Sequence, residues 1–219
     1  MINRTVVVLV GLLGAVGCEA RHQRTTFFGL ESGDAARVVY VMDRSGSMTD
    51  SVDFVNHELK GSIGSLPEQA EFTVIFYSSG PPFALTERSA RGEVPRTVEA
   101  YKAPGLFRAS DRNKRMAFDF IDLVVPQGGT EPEGAVRLAF SLEPDVIYLF
   151  TDGEFARSLV ELVKLLNPEG KVVVHTISYA YVMSEEVKKT IASQNGGQYR
   201  FVTGDEVDAF FRNRAGGGK

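Results

Sequence analysis

The sequence predicts an α/β domain: a doubly wound, mainly parallel sheet with helices on both faces. Three observations predict it. Apolar, strand-like runs alternate with stretches of helical spacing along most of the chain, the pattern produced by right-handed crossovers onto one sheet. Two of the runs, Val38-Val39-Tyr40-Val41-Met42 and Val146-Ile147-Tyr148-Leu149-Phe150, show no polar alternation, as expected of strands buried on both faces. Each leads to a carboxylate, Asp43 or Asp152, at the strand's carboxyl end, where open α/β sheets place their ligands.

The chain begins outside that fold. Asn3 and Arg4 precede an almost wholly apolar stretch from Thr5 to Gly17. As a helix it reaches about 20 Å, short of a hydrocarbon core of about 30 Å. It has the size of a signal-peptide apolar region. Ala15-Val16-Gly17-Cys18 resembles a bacterial lipoprotein cleavage site, which implies residues 1–17 as signal peptide and Cys18 as the acylated mature N-terminus. That resemblance implies a protein anchored to the membrane of the bacterial cell envelope, facing the periplasm or the exterior, with a secreted or periplasmic protein as the alternative. Cys18 is the one cysteine, so an internal disulfide is excluded. Residues 18–35 read as a flexible tether, in which Phe27-Phe28 is either an early strand or a pair packed on the domain surface. The formal net charge of −4 argues against a nucleic-acid partner, and no G-x-G-x-x-G turn or P-loop offers a nucleotide cradle.

Within residues 36–212, read as the domain, Val38 to Met42 is the first strand. Thr49 and Asp50 are placed to cap a helix in which Val52, Val55, Leu59 and Ile63 recur at helical spacing. Phe72 to Tyr77 is the second strand. Ser78-Ser79-Gly80-Pro81-Pro82 breaks it and opens an irregular, locally basic stretch to residue 109. There Thr97–Tyr101 is the expected antiparallel edge strand. The stretch reads as a solvated loop, or as a specificity surface provided it folds toward the ligand end. Ser110 and Asp111 cap a helix with Met116, Phe120, Leu123 and Val124 on its apolar face, ended by Pro126. Pro132 and Glu133 open the next helix, and Val146 to Phe150 is the fourth strand. An apolar helix from Ala156 to Leu166 stops at Asn167-Pro168, and Lys171 to Tyr179 is the fifth strand. Ser184 is placed to cap a helix over Glu185–Asn195, closed by Gly196-Gly197. Tyr199 to Val202 is the last strand, Glu206 to Phe211 a short helix, and residues 213–219 a disordered tail. His57 lies off its helix's apolar stripe and His175 among valines, so both read as structural rather than as ligands.

Asp43, Ser45 and Ser47 follow the first strand at alternate positions, and all three carry oxygen. Oxygen donors suit a hard cation such as Mg2+, which takes about six oxygens and keeps several waters. One loop cannot surround such an ion. Gly128-Gly129-Thr130 ends in a hydroxyl and Thr151-Asp152-Gly153 supplies a carboxylate. If the first and fourth strands are neighbours, Asp43, Ser45, Ser47, Thr130 and Asp152 converge at one end of the sheet.

At these residues the chain resembles the von Willebrand factor A domain family with its metal-ion-dependent adhesion site, Asp-x-Ser-x-Ser followed by a distant Thr and a distant Asp. The resemblance spans roughly residues 36–212. It implies six strands in the order 3-2-1-4-5-6, one of them an antiparallel edge. It also implies that Ser45, Ser47 and Thr130 approach a Mg2+ ion, or Mn2+ or Ca2+, while Asp43 and Asp152 act largely through water and hydrogen bonds. The expected activity is divalent-metal-dependent binding of a protein partner through its Asp or Glu carboxylate, not catalysis. The alternatives are a metal-dependent hydrolase of phosphoryl substrates and a structural domain whose metal only stabilises its loops. The hydrolase needs a positioned acid or base, or a second metal, and the three loops offer no evident candidate.

Overall fold

The computed structural model describes residues 25–92 and 105–216. The signal segment, Cys18 and the edge strand expected at Thr97–Tyr101 lie outside the described residues. The first described element departs from the tether expectation and bears out the early strand offered for Phe27-Phe28. Residues 25–35, assigned to a tether, instead hold a two-strand hairpin, β1 (Thr26–Phe27) and β2 (Leu30–Glu31). Its turn places Phe28 at φ 49° and Gly29 at φ 77°, the doubly left-handed geometry of the tightest hairpins. Burial supplies the reason that a phenylalanine accepts it. Phe27 and Phe28 pack against Tyr40, Tyr148, Phe54 and Phe150, with ring centroids 5.4–6.5 Å apart.

The main sheet starts with β3 (Arg37–Asp43), whose residues Val38 to Met42 are all fully buried. A helical turn, Gly46–Asp50, leads into α1 (Val52–Ser65). Thr49 and Asp50 fall inside that turn, so the cap position passes to Ser51. Next come β4 (Glu71–Tyr77), β5 (Phe83–Ala84) and β6 (Phe107–Arg108). Then follow α2 (Asp111–Asp122), α3 (Glu133–Ser141), β7 (Val146–Thr151), α4 (Ser158–Leu166), β8 (Val173–Tyr179), α5 (Glu185–Gln194), β9 (Tyr199–Val202) and α6 (Gly204–Gly216). Helix α6 therefore continues into the stretch expected to be tail. No described helix is long and apolar enough to cross a membrane.

The sheet order is β5-β4-β3-β7-β8-β9, which is 3-2-1-4-5-6 along the main sheet, with β6 pairing β4 as well. Strands β3, β4, β7, β8 and β9 run parallel, and β5 and β6 antiparallel. The antiparallel edge thus falls at Phe83–Ala84 and Phe107–Arg108.

Alternation within β3 sorts the core into two layers. Val38, Tyr40 and Met42 face the hairpin, α1, α2 and α6. Val39 and Val41 face α3, α4 and α5. His175 is 6% exposed, stacks on Tyr148 and accepts the Gln198 backbone N–H at Nδ1, 3.1 Å away. Burial pushes its imidazole below the usual range. It is a core histidine, as the valine context predicts. His57 is exposed beside Phe210.

Candidate metal centre

Because β3 and β7 are direct neighbours in parallel, their carboxyl ends open onto the same rim. The order reverses between them, so the helices that follow leave on opposite faces and a crevice remains. Asp43 ends β3 and Asp152 follows β7; they are 3% and 2% exposed. Ser45 Oγ lies 3.1 Å from Ser47 Oγ and donates to Asp152 Oδ1 at 3.3 Å. The Gly128-Gly129-Thr130 turn is laced to the same loops: Gly46 N–H donates to Gly128 O at 3.0 Å, and Gln127 N–H to Arg44 O at 2.7 Å. Thr130 is half-buried above Gly153, where a Cβ would lie 2.7 Å from its Oγ1. All five residues singled out from sequence are thus gathered on one rim.

Asp43 serves as the inner brace. Its Oδ1 accepts the Ser45 backbone N–H at 2.8 Å, and its Oδ2 accepts the Thr151 hydroxyl at 2.6 Å and the Tyr77 hydroxyl at 3.4 Å. Burial pushes the Asp43 carboxyl up; hydrogen bonds from Thr151 and Ser45 pull it back, and the neighbouring Asp152 adds repulsion. Two buried carboxylates and three hydroxyls on one rim form an oxygen-only set that a cation would relieve, and this fits a hard divalent ion. Among the described residues no group of three or more His, Cys, Asp or Glu side chains forms a rival site.

Three residues with roles here escaped the sequence reading. Tyr77 reads only as a strand residue and Thr151 only as the residue before Asp152; the registers that pair Asp43 with Tyr77 and Met42 with Phe150 bring them in. Lys188 is the third. It is 0% exposed on α5, and its Nζ donates to Gly153 O at 2.8 Å, Ser178 Oγ at 2.7 Å and Met183 O at 2.8 Å. Burial holds its pKa down to about 8, against the attraction of Asp152 and Asp43. The available signal was a lysine at the spacing of buried Ile191 and Ala192. Ser184 precedes α5 as expected, yet it makes no side-chain cap bond; its Oγ accepts the Phe155 N–H at 2.8 Å.

The irregular stretch after β4 divides. Its start folds toward the rim, with Ser79 Oγ accepting Gly129 N–H at 2.8 Å. Arg108 sits at the far end, paired with Glu71 in the β4–β6 register.

Gly153 offers a direct probe of this geometry. Gly153→Ala places a methyl against the Thr130 hydroxyl and should displace it. The expected result is roughly tenfold weaker binding of Mn2+ by calorimetry, about 1.4 kcal/mol, with little change in unfolding temperature. Unchanged Mn2+ affinity would remove Thr130 from the centre.

The family model described as von Willebrand factor type A domain matches residues 36–201. Among solved structures, von Willebrand factor type A from Catenulispora acidiphila aligns with a TM-score of 0.63 at 18% identity, covering 81% of this chain and 41% of that one. Proximal thread matrix protein 1 from the mussel byssus, solved with a zinc-occupied MIDAS motif, gives 0.57 at 18% identity, covering 81% and 44%. The conserved hypothetical protein BatB from Bacteroides thetaiotaomicron gives 0.55 at 15%, covering 82% and 97%. The chain therefore spans less than half the length of the first two. No curated protein matches it. At these identities the likenesses speak for the fold.

Proposed function

As a chain that belongs to the von Willebrand factor type A domain family, this protein is one that we propose acts as a divalent-metal-dependent protein-binding module, taking a partner's Asp or Glu carboxylate at the rim. The observation that carries the reading is the meeting of Ser45, Ser47 and Asp152 side chains within 3.3 Å, across loops that are distant in sequence. Ser45, Ser47 and Thr130 would hold the ion, with Asp43 and Asp152 positioning the hydroxyls and water around it. A bound Mg2+ supplies a cationic vertex for an anionic oxygen.

The chain's own residues explain why that vertex favours an external anion. Its two carboxylates are engaged by Ser45, Thr151 and Tyr77, so much of their charge is already spoken for by hydrogen bonds. The direct donors are then mainly neutral hydroxyls, which leave a divalent ion under-neutralised. In a partly desolvated crevice, its attraction for a partner carboxylate is stronger than in bulk water.

Calorimetric titration of the full chain with Mg2+ or Mn2+ tests the reading. The wild type should bind and gain thermal stability in proportion to the free ion. Asp43→Ala should weaken binding roughly 100-fold, about 2.7 kcal/mol, while circular dichroism in chelator stays native. Equal metal affinity in the two proteins would refute the assignment. Metal-dependent turnover of a generic phosphate ester, lost in Asp43→Ala, would replace it with the hydrolase.

A further inference from the structure

The loop between β8 and α5 presents three consecutive large apolar side chains to solvent. Tyr181, Val182 and Met183 are 60%, 59% and 40% exposed. The residues that bracket them, Ala180 and Ser184, hold φ of 59° and 45°, a left-handed conformation that favours glycine. Strain of this kind persists where the surrounding structure enforces it, and it clusters at ligand clamps. Here the enforcing contacts are visible. Lys188 Nζ grips Met183 O and Gly153 O, each at 2.8 Å, and Ser184 Oγ holds the Phe155 N–H. One buried ammonium thus fastens the apolar loop to the turn that carries Asp152. Gly153, the shared point, also lies against Thr130.

We propose that Tyr181, Val182 and Met183 are the apolar half of the partner-docking surface, and that the partner is a protein segment whose metal-seeking carboxylate lies next to a large aliphatic or aromatic side chain. This rests on the metal-dependent reading above and adds the chemistry of the partner. A carboxylate entering beside Thr130 brings its own backbone across Gly153, and hence onto the neighbouring loop. At about 3.3–3.6 Å of chain per residue, a side chain one to three positions away from that carboxylate lands there. Contiguous exposed apolar residues mark contact surfaces, and aromatic anchors dominate their energetics. Charge narrows the partner further. Glu131 and Glu154 are exposed next to Thr130 and Gly153, so they repel additional carboxylates. The fitting segment carries one acid with apolar neighbours, not an acidic run.

The test uses the full chain in Mg2+ and two synthetic peptides, each with a single glutamate, flanked by leucine and phenylalanine in one and by serines in the other. The wild type should prefer the apolar-flanked peptide at least about tenfold, the scale expected from burying one such side chain. Tyr181→Ser/Val182→Ser/Met183→Ser should erase the preference while Mn2+ affinity stays unchanged. Tyr181→Ser alone, a surface change, should reduce it and guards against misfolding of the triple variant. Equal binding of both peptides by the wild type, binding of neither with Mn2+ bound, or a preference that survives the triple substitution each overturns the proposal. A Mg2+-dependent dimer in sedimentation, abolished by the triple variant, overturns it in favour of self-association. Failure of the wild type to bind Mn2+ at all strikes the underlying metal reading instead.

Discussion

Gly197→Ala is expected to destabilise the fold by at least about 4 kcal/mol, the range in which single substitutions become diagnostic. A Cβ there would lie 2.0 Å from Val174 O, 2.5 Å from Val174 C and 3.0 Å from His175 N. These are backbone atoms of β8, which is paired on both sides by β7 and β9, so they cannot retreat without breaking ladders. Gly197 N–H also closes α5 onto Ala192 O at 2.9 Å, so the glycine itself has little freedom to move. Gly61→Ala supplies the contrast, because nothing lies within 4 Å of its Cβ position within α1. It should stabilise by about 0.5–1 kcal/mol through helix propensity. Denaturant unfolding of the two variants measures both numbers. A Gly197→Ala protein that unfolds with the wild type would show that Gly197 does not lie against the Val174 backbone as described.

Lys188→Met should cost about 3 kcal/mol and loosen the rim. Two effects oppose each other. Three acceptors, Gly153 O, Ser178 Oγ and Met183 O, lose their donor, at roughly 1–3 kcal/mol for each one left unsatisfied. Against this, methionine no longer holds an ammonium out of water, which recovers part of that loss. The stranded acceptors win because three oxygens lose their partner for one ammonium removed. The pH dependence isolates the lysine. Its pKa is held down to about 8, mainly by burial, from 10.5 in the open chain. Between those values the unfolded chain carries a proton that the native one has released. Stability attributable to Lys188 therefore rises as pH climbs from 8 toward 10.5, and is level below 8, where both states hold the proton. Thermal melts of wild type minus Lys188→Met, recorded in chelator across that window, should trace this rise. A flat difference would mean that Lys188 titrates as an exposed lysine does.

Much of the architecture was legible because its strands are short of polar residues. Val38–Met42 and Val146–Phe150 could only be central, and neighbouring central strands place Asp43 and Asp152 on one rim. Thr130 was legible for a different reason, as the hydroxyl that ends a glycine turn and fits the family's distant threonine. What escaped has physical reasons. The hairpin at Thr26–Glu31 has two residues per strand, too few for any periodicity, and its order comes from Phe27 packing on Tyr40, Tyr148 and Phe150. The edge at Phe83–Ala84 is just as short. Lys188 was invisible because a charged residue on a helix ordinarily marks its wet face, and only three converging acceptors make burial tolerable. Ser184 looked like a cap from its position, yet its left-handed backbone turns the hydroxyl toward Phe155.

The hairpin also fixes where the described chain enters the domain. Thr25 Oγ1 donates to Ser65 O at 3.3 Å, and Ser65 closes α1, the helix that starts beside the Ser45–Ser47 loop and runs the length of the sheet away from it. The described chain therefore enters the domain at the end of the sheet opposite Asp43 and Asp152. The chain's point of entry and its rim of oxygens thus sit at opposite poles, and the hairpin leaves that rim clear.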